Sequence, residues 1–316
     1  MEYTEFICAV QQEMSQRMKG DVKVTAYTAV KNNDIQRRGI VLETPGINIS
    51  PTIYLEEFYE SYRKGRPLEK IVDEVADFYQ SIRQEKSWNY ERILHFEGVK
   101  DRIVFKLINT GRNRALLETV PHREVLDLSL VFYVLLEMNS EGTAVMLVGN
   151  SHMEQWEIDM EMLWSAAVEN SKRLLPAEFF TMNHAMQELL GTVPEAKRAE
   201  GNLLLGNNPE RDRMYVLSNR IRNYGAACIV YPYVLEMIGN ILAEDFYVLP
   251  SSVHEVVIVP SSGNIHYREL SDMVHEINVT QVPEEEILSD HAYYYECGNR
   301  TLSIKGESRR TKEAQR

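Results

Sequence analysis

From Tyr3 to Met18 the apolar residues Phe6, Ile7, Val10, Met14 and Met18 recur at three- and four-residue spacing. That is the signature of a helix with one buried stripe, and Gly20 stops it. Apolar and polar positions then alternate through VKVTAYTAV (22–30) and IQRRGIVLE (35–43), on either side of KNND, which predicts a β-hairpin. Ser50 suits a helix cap and Pro51 a first helical position, where its missing N–H costs nothing; Gly65 ends that helix. Pro67 opens a second helix, with Leu68, Ile71, Val72, Val75, Phe78, Tyr79 and Ile82 on one face. The opposite face is acidic, so the stripe reads as core packing and not as a membrane-surface helix.

Beyond residue 95 the pattern echoes itself. Leu107 and Asn109 match Leu217 and Asn219, Arg112-Asn113 match Arg222-Asn223, and Phe132-Tyr133-Val134-Leu135 match Phe246-Tyr247-Val248-Leu249. Each copy runs through a polar turn into a β-rich segment, AVMLV or EVVIV, and closes with a helix, Met153 to Lys172 or Ile265 to Asn278. Ordered matches at a near-constant offset read as a duplicated supersecondary unit. The fold class expected is α+β, with mostly antiparallel sheet. The organisation expected is an N-terminal helix–hairpin–two-helix module (1–95), a first repeat (96–172) and a connector (173–211). A second repeat (212–280), a terminal hairpin (281–305) and a flexible tail (306–316) follow. Within the connector, Met182 to Leu190 predicts a short helix and GNLLLGNNPE an exposed loop. The terminal hairpin pairs AYYYE with TLSIK, and Tyr293 and Tyr295 share one of its faces.

Composition adds constraints. The 316 residues are 44% hydrophobic and 26% charged, an ordinary globular mixture, and carry a net charge of −13. That balance disfavours nucleic-acid and anionic-membrane partners, which require positive potential. Cys8, Cys228 and Cys297 are scattered, so neither a zinc knuckle nor a disulfide framework is expected. The longest apolar run, Leu128 to Leu136, is too short for a membrane helix, and the N-terminus has no signal-peptide pattern; the location expected is cytoplasmic.

The candidate chemistry centres on PSSVHE (250–255). One reading makes Ser251 or Ser252 a nucleophile and His254 its base, with a carboxylate such as Glu255 or Asp290, or His291, completing a hydrolase site. The other reading is a turn between strands. PSSVHE occupies the place that MNSEGT holds in the first copy, and adjacent strand residues point to opposite faces, which separates His254 from Glu255. The sequence favours the turn. His184 and Glu188, four apart on a predicted helix, read as a surface pair rather than metal ligands. GNLLLG lacks the Lys and Ser/Thr of a phosphate loop, and no cofactor is expected. Arg112, Arg114, Arg220 and Arg222 fall at matching places in the two copies and form a candidate basic patch, the one feature favouring nucleic acid.

Whole segments carry a resemblance. NISPTIYLEEFYESY, KGRPLEKIVDEV, DFYVLPSSVHEVVIVP and EINVTQVPEEEILSDHAYYY resemble those of an uncharacterised family from gut Firmicutes, catalogued as a domain of unknown function. More distantly, the duplicated part is similar to an uncharacterised group of bacillar proteins. The resemblance implies a bacterial cytoplasmic protein and supplies no activity, cofactor or catalytic residue. The duplicated α+β scaffold, the acidic balance and the lack of a convergent catalytic set make the function expected a non-enzymatic interaction or regulation, through an unknown protein partner or small molecule, with the hydrolase and nucleic-acid readings as alternatives.

Overall fold

In the computed structural model, the N-terminal stripe forms helix α1 (Tyr3–Arg17), with Phe6, Ile7, Val10 and Met14 buried. Residues 1–18, 22–46, 50–82, 90–139, 142–194, 200–206, 212–263 and 266–304 are described; the stop assigned to Gly20 and the tail 306–316 lie outside them. Strands β1 (Lys23–Val30) and β2 (Gln36–Glu43) form the expected antiparallel hairpin, Lys23 opposite Glu43 and Val30 opposite Gln36. The next segment differs from expectation. Thr52–Tyr54 is a strand, β3, paired to β2, and helix α2 (Glu56–Arg63) starts five residues after Pro51. The β-branched and aromatic residues of Thr-Ile-Tyr complete a ladder that a helix there would leave open. Gly65, at φ +96°, ends α2 in the left-handed conformation that a side chain would strain.

Helix α3 (Leu68–Ile82) buries Ile71, Val72, Val75 and Tyr79, while Phe78 stays 46% exposed. These side chains join those of α1 with Val24, Ile40, Leu42, Ile53 and Leu55 in one core. This is the first of two compact units, built on Met1–Gly98.

The second unit, built on Val99–Met138 and Thr143 onward, holds two antiparallel sheets. After helix α4 (Phe96–Val99), strand β4 (Ile103–Asn109) leads through helix α5 (Arg114–Leu117) to β5 (His122–Val125). Then come β6 (Leu128–Asn139), β7 (Gly142–Leu147), helices α6 (Asn150–Trp156) and α7 (Met160–Leu174), β8 (Ala177–Thr181) and α8 (Met182–Leu189). The chain continues with β9 (Tyr215–Asn219), α9 (Val234–Leu242), β10 (Phe246–Leu249), β11 (Val256–Pro260), α10 (Tyr267–Thr280), β12 (Tyr293–Glu296) and β13 (Thr301–Ile304). One sheet runs β4-β6-β5, with β7 also on β6; the other runs β13-β12-β10-β11-β9-β8. The molecule is α+β, as its patterning predicts.

The sheet order does not reproduce the duplication. β6 lies between β4 and β7, whereas in the corresponding set β11, not β10, lies between β9 and its hairpin partner. The helix expected over 153–172 is interrupted at Glu157, whose φ of 53° is left-handed, and Asp159 caps α7 by accepting from the Met162 N–H at 2.8 Å. The stretch expected as a connector supplies β8 at a sheet edge. Its GNLLL segment is not a plain exposed loop: Asn202 is buried and its Oδ1 accepts from the Phe179 N–H at 3.0 Å.

Candidate functional site

PSSVHE joins β10 to β11, which pair with Leu249 opposite Val257. It is a loop between antiparallel strands, but a wide one, and β11 begins only at Val256. His254 and Glu255 therefore precede the strand, and the alternation expected to separate them does not operate. A second segment stitches the loop down. Leu288 N–H donates to the Ser251 carbonyl at 3.1 Å, Ser289 N–H to the Pro250 carbonyl at 2.9 Å, and Val253 N–H to the Glu286 carbonyl at 2.9 Å. Ser252 forms a β-bridge with Ile287.

His254 is held from several sides. Its Nδ1 accepts the Tyr224 N–H at 3.3 Å, its Nε2 lies 3.6 Å from Glu286 Oε1, and its carbonyl accepts from the Ser218 hydroxyl at 2.8 Å. An accepting Nδ1 leaves the ring proton on Nε2, the edge facing the Glu286 carboxylate. The imidazole also stacks on Tyr224, centroids 5.7 Å apart at 18°, and the Lys106 ammonium sits 4.3 Å from the same phenol ring. Tyr224 takes a left-handed φ of 54°, which brings its ring and its N–H to the same histidine. The Ser252 Oγ accepts from the His254 backbone N–H at 3.0 Å, a local turn bond. No hydroxyl is bonded to the imidazole, so the serine–histidine geometry of a hydrolase is not formed among the described residues.

Glu255 stands beside this cluster. Burial raises its carboxyl above the ordinary carboxylate range; His254 and Arg222 oppose that shift, and Glu286 adds to it. Asp290 belongs to a different arrangement. It accepts from Arg112 Nη2 at 2.9 Å and from Asn278 Nδ2 at 2.8 Å, with His275 Nδ1 3.5 Å away. Burial pushes its carboxyl up, but Asn278, Arg112 and His275 together hold it below its usual value. His291 is exposed and contributes its backbone N–H to the Ser289 hydroxyl at 3.0 Å. The fold thus gathers Ser252, His254 and Glu255, and directs Asp290 toward Arg112.

The four arginines do not act together. Arg112 binds Asp290, while Arg222 reaches Glu178 at 2.6 Å and Glu188 at 2.9 Å with its guanidinium over the Phe180 ring. Arg114 and Arg220 are exposed. Glu188 consequently pairs with Arg222 rather than with His184. Among the described residues, no group of three His, Cys, Asp or Glu could hold a metal ion, and no helix is long and apolar enough to cross a membrane.

Sequence reasoning passed over a carboxylate that joins two distant segments. Asp127 accepts from the Ser289 hydroxyl at 2.6 Å and from the Tyr293 hydroxyl at 2.5 Å, tying the β5–β6 turn to the start of β12. Asn109 and Asn219, at matching places in the two copies, each hold a turn. Asn109 Oδ1 accepts the Arg112 N–H and its Nδ2 donates to the Leu288 carbonyl, both at 2.9 Å. Asn219 Oδ1 accepts the N–H groups of Ile221 and Asn223 at 3.2 and 3.3 Å. The signal that could have found them is the shared Asn-x-x-Arg-Asn spacing itself, which places a carboxamide at a strand end above a following turn.

With this geometry in hand, comparison with known proteins gives one relationship. A family model, described as a family of unknown function (DUF5688), matches residues 3–297. The chain belongs to that family. No curated protein and no solved structure matches it. PSSVHE lies inside the matched span, as do Asp127 and Asp290.

Proposed function

We propose that this DUF5688 chain is a non-enzymatic interaction or regulatory protein of the bacterial cytoplasm. One observation carries the reading: both ring nitrogens of His254 face partners within the fold, and Ser252 Oγ is engaged by the adjacent backbone. A general base needs a free nitrogen within reach of a nucleophile's proton. In this arrangement PSSVHE is a clasp between the β10–β11 loop and residues 286–289, and the polar groups stabilise that clasp. Nucleic acid is an unfavoured partner, since the net charge is −13 and the two matched arginines that reach inward are neutralised by carboxylates.

The test compares the full chain with Ser252→Ala and His254→Ala across ester, amide and phosphoester substrates. Equal, background-level turnover is expected in all three, with a lower melting temperature for His254→Ala. Turnover in the native chain that both substitutions abolish, in folded protein, would overturn the reading.

A further inference from the structure

The three-stranded sheet of the first unit has an open edge. Among the described residues, β1 pairs only with β2. Lys31 N–H donates to the Ile35 carbonyl at 2.7 Å, within the same register that sets Ala29 opposite Arg37 and Tyr27 opposite Gly39. Main-chain groups in an antiparallel ladder alternate in direction, so Thr25, Tyr27 and Ala29 bond to β2 while Val24, Ala26, Thr28 and Val30 point outward. One outward group has a partner: Gln11 Nε2 donates to the Val24 carbonyl at 3.1 Å. Ala26, Thr28 and Val30 are exposed, and among the described residues their outward N–H and C=O groups meet no hydrogen-bond partner.

Side chains leave the same region open. Val24 is buried, but Thr25, Ala26, Tyr27, Thr28 and Val30 are exposed, Tyr27 by 50% and Val30 by 66%. The run VTAYTAV contains no charge, proline or glycine. Soluble proteins ordinarily blunt an edge with such residues or with a bulge, because unpaired main-chain groups beside β-forming side chains recruit another strand.

We infer that β1 is an interface that pairs antiparallel with β1 of a second copy of this chain, about a two-fold axis at Thr28. This goes beyond the reading above and does not depend on it. The strand is self-complementary in that register. Thr28 faces Thr28 of the other copy and exchanges both main-chain hydrogen bonds with it, Ala26 faces Val30, and Tyr27 faces Ala29. Lys31 falls opposite Thr25, so no like charges meet. A two-fold contact of this kind closes and does not propagate. Each copy carries −13 overall, while Val24–Val30 is neutral. Long-range repulsion therefore opposes association, and added salt strengthens it by screening.

Sedimentation velocity of the full chain over a range of concentrations, at low and high salt, tests this. A reversible monomer–dimer equilibrium that tightens with salt is expected. Thr28→Pro deletes an outward N–H that takes no part in the β1–β2 ladder. Across the dimer it removes two hydrogen bonds, which weakens association by about tenfold or more. Thr28→Lys keeps the backbone intact and sets two ammonium groups across the axis, with the same expected direction. A strictly monomeric chain, association that both variants leave unchanged, or a dimer that salt dissociates would overturn the inference.

Discussion

Gly225 sits where the second unit leaves no room for a side chain. A methyl at its Cα would lie 2.2 Å from Ser218 Oγ and 2.6 Å from both the Asn219 nitrogen and the His254 carbonyl oxygen. Two of those three neighbours are backbone atoms, so they yield only if the β9 end or the PSSVHE loop moves. Gly225→Ala is expected to destabilise the chain by roughly 1–3 kcal/mol, read from the denaturant midpoint. The shift should be shared by Ser218→Gly, Gly225→Ala only in part, since that variant removes one of the three contacts. Asp127 supports a second prediction at this scale. Tyr293 and Ser289 are both fully buried, and each hydroxyl donates to Asp127. Tyr293→Phe leaves the carboxylate one bond short and is expected to cost about 1–3 kcal/mol. A double-mutant cycle with Asp127→Asn should return a non-zero coupling; additivity would mean the bond contributes nothing.

At the level of elements, the loop 250–255 and the strip 286–290 are held by groups whose ionisation responds oppositely to pH. Glu255 has a folded-state pKa above its unfolded value, so the native state binds its proton more tightly. Its contribution favours folding below the unfolded pKa and is lost as pH rises through the folded one. Glu255→Gln should therefore raise the melting temperature at pH 7, with the gain shrinking below about pH 4. Asp290 is the reverse case, with a depressed folded-state pKa. Its contribution is present above the unfolded value and is lost as pH falls through the folded one, so Asp290→Asn should destabilise at pH 7 and converge with the native chain in acid. Melting curves from pH 3 to 8 check both, and parallel curves for either variant would remove its assignment. The same strip shows what the sequence could convey. Patterning exposed α1, α3 and α10, each of which buries one face of a helix, and the β1–β2 and β12–β13 hairpins, whose β-forming runs flank a polar turn. It could not place β3, where a Ser-Pro pair imitates a helix start while Thr-Ile-Tyr completes a sheet. Nor could it show that Asp290 turns to Arg112, 178 residues away in the chain. A carboxylate's partner is chosen by topology, which local patterning does not carry.

Across the whole molecule, the two units carry separate hydrophobic cores. That of the first is assembled from α1, α3 and its three strands. That of the second includes a cluster of Tyr247, Leu249, Val259, Leu270, Val274 and Ala292. Ile40 and Phe246 are fully buried in their own units, and Phe246 also stacks on Tyr295 at 5.0 Å. Cooperativity follows shared buried contacts, so units with their own cores are expected to unfold in distinct steps. Ile40→Ala should cost about 2–5 kcal/mol and Phe246→Ala about 3–5 kcal/mol. Calorimetry of the native chain should resolve two transitions, with Ile40→Ala moving only one and Phe246→Ala only the other. A single transition displaced by both substitutions would mean that the chain folds as one cooperative body. In that case the β1 edge would be coupled energetically to the His254 clasp, and a substitution at either would be felt at both.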